Sequence, residues 1–286
     1  MNGWGCKRCG TQLKPGETGH RLCEMCMNRE SELRGKTKRL ATIERGSGRP
    51  DQYLLDGEPV PSVTEILEAT EGKPALDGWH MKHGFRAKLM KQEAADVGSA
   101  VHDASEEYIH TDDDFLAYAA AEDVVQRAGL KHLNAQQAHL ALKSWVSWRT
   151  GLGARYRFLA TEIPMVHPHK RYGMTTDGVV EDTETGEVLV YELKTSTRSY
   201  PSHVIQTAAY ALGLNEVRGI EATGSVIVRV DKGRIVPGGE VRGGGGPAEV
   251  NVVGGSVWGK AKREFVRRLA SYATTRSIAR FYGMKI

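Results

Sequence analysis

The sequence predicts an α/β (α+β) protein: a mixed central sheet flanked by helices, with a small metal-stapled ribbon ahead of it. Three observations carry that expectation. Apolar residues recur at helical spacing between residues 62 and 150, and the period then changes to that of strands from Arg157 to Lys194. Beyond those strands, one further helix leads to another strand near Ser225. All four cysteines fall within the first 26 residues, as Cys6-x2-Cys9 and Cys23-x2-Cys26.

Taken in order, the ribbon comes first, at residues 1–28. Two Cys-x-x-Cys turns can supply four thiolates to one tetrahedral Zn²⁺. So short a segment buries too little apolar surface to fold alone, so the metal must provide much of its stability. An iron–sulfur cluster and a redox dithiol are the rivals, and no strand–helix pattern surrounds either pair to favour the dithiol. A disulfide scaffold would require an export signal, and the opening Met1-Asn-Gly-Trp-Gly-Cys6 has no apolar core for one. Residues 29–50 are polar, basic and glycine-containing, and read as a linker to a main domain over 51–286.

In the main domain, Ser62-Val-Thr-Glu65 reads as a capping box opening a short helix through Thr70, with Val60 placed for a hydrophobic staple. Helical patterns follow at 76–92, 95–110, 113–128 and 134–150, the last ended by Gly151 and Gly153. Strands are expected at Arg157–Val166, Tyr172–Asp182 and Glu187–Lys194, with a turn at Thr183–Gly186. A helix over Ser202–Leu214, a strand over Ser225–Val230, a turn at Asp231–Gly233 and a weaker strand at Ala248–Val253 complete the pattern before a basic helix. Gly238–Gly246 holds six glycines but no Gly-Lys-Ser/Thr ending, so it reads as a flexible hairpin tip rather than a phosphate loop.

Composition narrows the function. No run of about 18 apolar residues exists to span a bilayer, and a cytoplasmic location is expected. The net charge of +4 is unevenly spread: from Ser256 to Ile286 eight basic residues face the single acid Glu264. Such asymmetry points either to a polyanion or to a solvated helix face. Arg263 and Arg267 are four apart, as are Arg276 and Arg280, so each pair shares a face; with Arg268 they form the candidate DNA-backbone contact. Phe265, Leu269 and Tyr272 have the spacing to pin that helix to a core.

The chemistry is expected at Asp177, Glu192 and Lys194. Glu192 and Lys194, two apart on one strand, project to the same face, and a hairpin brings Asp177 beside them. Two carboxylates on adjacent strands make a hard oxygen site suited to Mg²⁺ or Mn²⁺. A lysine beside them can hold a water or a phosphate oxygen as charge develops, which suits in-line attack on a phosphodiester. A bare D…E-x-K is most often a charged, solvated strand face. Here Val188-Leu-Val-Tyr-Glu-Leu-Lys194 is apolar on both faces until Glu192, as in a buried central strand, where carboxylates are costly without a metal or partner. Gly98-Ser-Ala-Val-His102 opens a helix with Glu106 one turn on, and Gln206-Thr-Ala-Ala-Tyr210 follows the E-x-K strand.

Together, G-x-x-x-H, D, E-x-K and Q-x-x-x-Y in this order resemble the RecB-type branch of the PD-(D/E)XK nuclease superfamily. Tyr53–Leu67 and Trp79 resemble the entry segment of phage exonucleases in that branch, and mitochondrial genome-maintenance exonucleases share a similar pattern. The resemblance implies a restriction-endonuclease-like core and a metal-dependent DNA exonuclease acting in phage recombination or replication. A structure-specific or nicking endonuclease and a catalytically degenerate DNA-binding adaptor are the alternatives. It implies that Asp177, Glu192, the Leu193 carbonyl and His102 bind the catalytic metal, with Glu162 a looser match and Glu106 a further candidate. Lys194 would position the attacking water, while Gln206 and Tyr210 would support the site or touch the DNA strand. Two departures stand out: Thr176 replaces the proline before Asp177, and no cysteine follows Cys26 to close an iron–sulfur clamp. The ribbon would then grip DNA or a recombination or replication protein.

Overall fold

The computed structural model describes residues 52–71, 81, 84–111 and 114–282, so the expected ribbon, the linker and Trp79 lie outside the described residues. Two short strands, β1 (Tyr53–Leu55) and β2 (Glu58–Val60), form an antiparallel hairpin that the sequence reading lacked. Its turn is Asp56-Gly57, both with positive φ (54° and 78°), the geometry that Asp-Gly supplies to a tight hairpin. Helix α1 (Val63–Thr70) follows, and Ser62 accepts the Glu65 N–H at 3.0 Å as expected of its N-cap. Only half of the capping box forms, because the Glu65 carboxylate instead accepts from Tyr272 and Arg276. The staple fails for a similar reason: Val60 packs with Leu55 and Val166 rather than against α1.

The next helices are α2 (Arg86–His110), α3 (Asp114–Arg127) and α4 (His132–Thr150). α2 corrects the sequence reading, which separated 76–92 from 95–110 and let Gly98 open the second helix. Gly98 lies inside one continuous helix whose buried Val97, Ala100, Val101 and Ala104 keep helical spacing across it. A mid-helix glycine costs about 1 kcal/mol. Its missing side chain has a use here, since a Cβ at Gly98 would stand 3.3 Å from Thr195 Oγ1.

Five strands form the main sheet: β3 (Tyr156–His167), β4 (Tyr172–Asp182), β5 (Val188–Lys194), β6 (Gly224–Arg229) and β9 (Glu249–Val253), in spatial order β3-β4-β5-β6-β9. The β5–β6 pair is parallel and the rest are antiparallel, which makes the sheet mixed, as the sequence predicts. Helix α5 (Pro201–Gly213), extended by a π-turn through Arg218, provides the β5–β6 crossover. A second hairpin, β7 (Arg234–Val236) and β8 (Glu240–Arg242), lies between β6 and β9, and α6 (Gly255–Phe281) closes the described chain. Only Gly238 and Gly239 form that hairpin's tip; the later glycines of the expected flexible stretch sit at its base.

The sheet buries both faces, so β5 reads as a continuous apolar run. One face packs on α1, α5 and α6 through Val190, Met174, Ile66, Ala208 and Phe265. The other packs on α2, α3 and α4 through Leu189, Tyr191, Leu193, Val101 and Trp145. Phe265, Leu269 and Tyr272 pin α6 to the first of these cores, as their spacing implies. Among the described residues no helix is long and apolar enough to cross a membrane.

Candidate active site

The β4–β5 ladder stops at Gly178↔Tyr191, and the site begins where it stops. The next pair would be Asp177 and Glu192. Instead, Asp177 Oδ2 accepts the Leu193 N–H at 2.7 Å, so a side chain replaces the carbonyl that a continued ladder would supply. The two edges of the ribbon β3–β4 also lose phase here. Ala160 and Ile163, three apart on β3, pack into the same core, as do Met174 and Val179, five apart on β4. Regular alternation forbids odd separations on one face, so both strands slip by one residue across this stretch. Glu162 lies at that slip, opposite Asp177 in the register, with a left-handed φ of 41°. A non-glycine residue held there costs about 1–3 kcal/mol, a strain often stored at functional sites.

His102 arrives from α2 and places Nδ1 3.3 Å from Asp177 Oδ2. The Gly98–Thr195 approach, one turn earlier on the same helix, is what brings α2 this close to the end of β5. His102, Glu162 and Asp177 form the group in which one ligand atom from each lies within 4.8 Å of the others, a spacing that can hold a metal ion. Glu192 is turned instead to Lys194, whose Nζ donates to its Oε1 at 2.6 Å. Glu192 is 1% exposed and its second oxygen, Oε2, is buried with no hydrogen-bond partner among the described residues. Gln206 Nε2 donates to Tyr210 Oη at 2.6 Å, and both residues are buried on α5 near Glu192. Glu106 stands apart from the metal-binding group: its carboxylate accepts from Thr161 at 3.2 Å and lies 3.6 Å from His110.

The electrostatics describe a site short of positive charge. Burial alone would lower the His102 pKa, but the Asp177 carboxylate overcomes it and raises the imidazole to about 9. Asp177 resists its own burial through the His102 and Lys194 charges and the Leu193 N–H, and stays below the usual carboxylate range. Burial and the Asp177 charge push Glu192 up to about 7 despite Lys194. Glu162 is exposed on one side, but the covered part of its carboxyl and the Asp177 charge raise it as well, to about 7. Lys194 loses to burial but gains more from Glu192 and Asp177, and its ammonium is held charged. Two carboxyls shifted up to about 7, a third held ionised and an orphaned buried oxygen are what a divalent cation would relieve, since a bound ion reverses such shifts. The donor set, carboxylate oxygens with one imidazole, fits Mg²⁺ or Mn²⁺.

One supporting feature escaped the sequence reading. The loop after Lys194 is pinned to the sheet edge: Ser199 Oγ donates to Glu249 Oε1 at 2.5 Å, Arg229 Nε donates to Glu249 Oε2 at 2.8 Å, and Asn251 Nδ2 reaches Ser199 Oγ at 3.1 Å. Ser199 lies some fifty residues from Glu249 and Asn251, and Arg229 twenty from Glu249, so no local pattern announces them. The basic residues of α6 are placed unequally. Arg267 and Arg268 both pair with Glu264, and Arg276 pairs with Glu65. Arg263 and Arg280 are exposed and have no ion-pair partner among the described residues. Cys6, Cys9, Cys23 and Cys26 lie outside the described residues.

A family model described as the PD-(D/E)XK nuclease superfamily matches residues 78–280. None of the curated proteins compared with the chain matches it. PD-(D/E)XK nucleases use divalent metals to hydrolyse nucleic-acid phosphodiesters, and the group at His102, Glu162 and Asp177 suits such an ion. The match takes in every element of the main sheet and most of the 286-residue chain: it belongs to the PD-(D/E)XK nuclease superfamily.

Proposed function

We propose that this chain is a Mg²⁺- or Mn²⁺-dependent DNA exonuclease of the RecB-like type, resecting ends in phage recombination or replication. The observation that carries the metal-dependent chemistry is the convergence of His102, Glu162 and Asp177 beside the orphaned Glu192 carboxylate and the charged Lys194. His102, Asp177 and Glu162 hold the ion, with Glu192 and the Leu193 carbonyl completing the ligand set. The bound cation supplies positive charge against which negative charge on a phosphodiester develops. Lys194, fixed by Glu192, orients the attacking water, and the Gln206–Tyr210 pair keeps the Glu192 carboxyl in place. Glu106 accepts from Thr161, the residue before Glu162, and so ties α2 to that stretch of β3.

End dependence is supported by the phage-exonuclease-like entry segment Tyr53–Leu67, which docks on the nuclease sheet through Tyr53 Oη and Thr175 Oγ1 at 2.9 Å. Arg263 and Arg280, which have no ion-pair partner among the described residues, meet the DNA backbone, with Arg267, Arg268 and Arg276 released from their carboxylates as phosphate arrives. The ribbon at Cys6, Cys9, Cys23 and Cys26 carries one Zn²⁺ and contacts DNA or a recombination or replication protein. The second reading, a nicking or structure-specific endonuclease, rests on the same site, because nothing in the ligand set encodes an end. Incubation with Mg²⁺ or Mn²⁺ on end-labelled linear DNA and on covalently closed circles separates the two. Mononucleotides or short products from linear DNA alone are expected. Nicked or linearised circles would establish the endonuclease, and no cleavage of either substrate under any divalent metal would return the protein to a binding role.

A further inference from the structure

β6 and β9 are antiparallel neighbours, which a turn of about two to five residues can join. Residues 230–248 intervene instead, and they fold into the β7–β8 hairpin. Long connections of this kind in a compact domain tend to carry function. This one leaves the sheet at the catalytic end. β6 runs parallel to β5 with Arg229 opposite Lys194, and the Val230 N–H donates to the Lys194 carbonyl at 2.8 Å. Lys232 Nζ then reaches the Ala94 carbonyl on α2 at 3.4 Å. Ala94 is one helical turn, about 6 Å, from Gly98, which abuts Thr195 beside the site.

The base of the hairpin is built to hold one direction. A Cβ at Gly233 would stand 2.6 Å from the Gly243 carbonyl oxygen, and one at Gly244 would stand 2.6 Å from the Gly233 nitrogen. Both glycines have positive φ, so the strands cross at a closeness no other residue permits. Gln137 Nε2 donates to the Gly233 carbonyl at 2.9 Å and ties the crossing to α4. Most charges of the hairpin already have partners: Asp231 accepts the Gly233 N–H at 2.9 Å, Lys232 is bonded to α2, and Arg242 pairs with Glu240. Arg234 remains, exposed and with no ion-pair partner among the described residues, next to the exposed Ile235.

We propose that the β7–β8 hairpin is a backbone guide for the substrate strand, with Arg234 its contact to a phosphate near the scissile one. The proposal rests on the nuclease reading above, and names where the polynucleotide lies as it meets that site. A single cation aimed at a phosphate positions a strand without reading its bases. Removing one such contact from a single strand lowers the slope of log affinity against log salt by about 0.7.

The test uses the full chain with a fluorescent 30-nucleotide single strand for binding, and thymidine 5′-(p-nitrophenyl phosphate), a mononucleotide ester too small to span site and hairpin, for chemistry. Arg234→Glu should weaken binding of the strand by about tenfold and flatten the salt dependence, while hydrolysis of the small ester stays at the parent rate. Arg234→Lys should restore most of the affinity and the slope, because charge rather than shape is what the contact needs. Parental affinity and slope in Arg234→Glu would overturn the proposal. So would an equal loss on the small ester, since that would place the effect in the catalytic site. A parent that hydrolyses neither substrate with any divalent metal defeats the nuclease reading instead, and leaves the binding comparison to decide the hairpin.

Discussion

Tyr191 and Glu192 are consecutive residues on the central strand, each 1% exposed, and they illustrate two opposite meanings of burial. Tyr191 points into the core beneath α4, where its hydroxyl accepts from Trp145 Nε1 at 2.6 Å and its ring stacks on Trp148 at 6.0 Å. Every polar atom of that side chain is matched, so its burial stabilises. Glu192 points to the other face, where one carboxylate oxygen is matched by Lys194 and the other by no group among the described residues. Its burial costs free energy that the rest of the fold must offset, and such cost is tolerated where the site has work to do. A half-matched charge at the end of an otherwise apolar strand is thus the mark of the site.

Activity should separate the two residues most. Glu192→Gln or Asp177→Asn should lower phosphodiester cleavage by at least about 1,000-fold, near 4 kcal/mol of barrier, as loss of a metal ligand does. Near-parental turnover in either variant would remove that residue from the catalytic set. Glu192→Gln should at the same time hold or raise the urea midpoint, because it deletes a buried ionisable group.

The opposite result is expected one layer away. Trp145→Ala should cost about 3–5 kcal/mol in urea unfolding, the range for emptying a buried aromatic site, with little change in metal preference. A loss under 1 kcal/mol would show that α4 packs on the sheet more loosely than its aromatic cluster implies.

Metal binding should depend on the carboxylates and not on the aromatic core. Mn²⁺ at about a hundred times its dissociation constant should stabilise the protein by about 2.7 kcal/mol, read as a rise in Tm. Asp177→Asn should abolish that rise and Tyr191→Phe should not. His102→Ala should reduce it and alter the preference between Mn²⁺ and Mg²⁺, since the nitrogen donor is the ligand that distinguishes them.

The smallest effect lies in pH. Glu192 is raised from 4.5 to about 7 in the folded chain, so its neutral form is favoured there. In EDTA its contribution to stability is fully present below pH 4.5 and is lost as pH rises through 7. Glu162 acts in the same direction and Asp177 in the opposite one. Glu192→Gln should therefore flatten the fall in Tm between pH 5 and 8 without abolishing it; an unchanged profile would mean the Glu192 carboxyl is ionised throughout.

How far the sequence reveals this site depends on the range of the interactions involved. β3, β4 and β5 are legible because alternation, a four-residue turn and a both-faces-apolar strand are local signals. The same strand context singles out Asp177, Glu192 and Lys194. Gly98 is misread as a helix start because the reason for it, Thr195, lies nearly a hundred residues away. Val60 and Glu65 are misassigned for a like cause: each finds a partner in a distant element that outcompetes the local one. Glu162 is a loose match in sequence because the slip that turns it toward Asp177 breaks the alternation that would announce it. The Asp56-Gly57 turn is a local signal, but strands of three residues give it too little flanking pattern to be read.

The coordinated slip of β3 and β4 also bears on transplantation and redesign. The left-handed residue on one strand is matched by a phase change on the other, so neither strand can be idealised alone. Removing one residue between Ala160 and Ile163 would straighten β3 and move the side chains of its remainder to the opposite face of the sheet from their β4 partners. A designed scaffold that borrowed only the sequence around Asp177 and Glu192 would inherit regular pleating and lose the third carboxylate. The portable unit is the paired ribbon from Tyr156 to Lys194, moved whole, together with the helix that sets His102 above it.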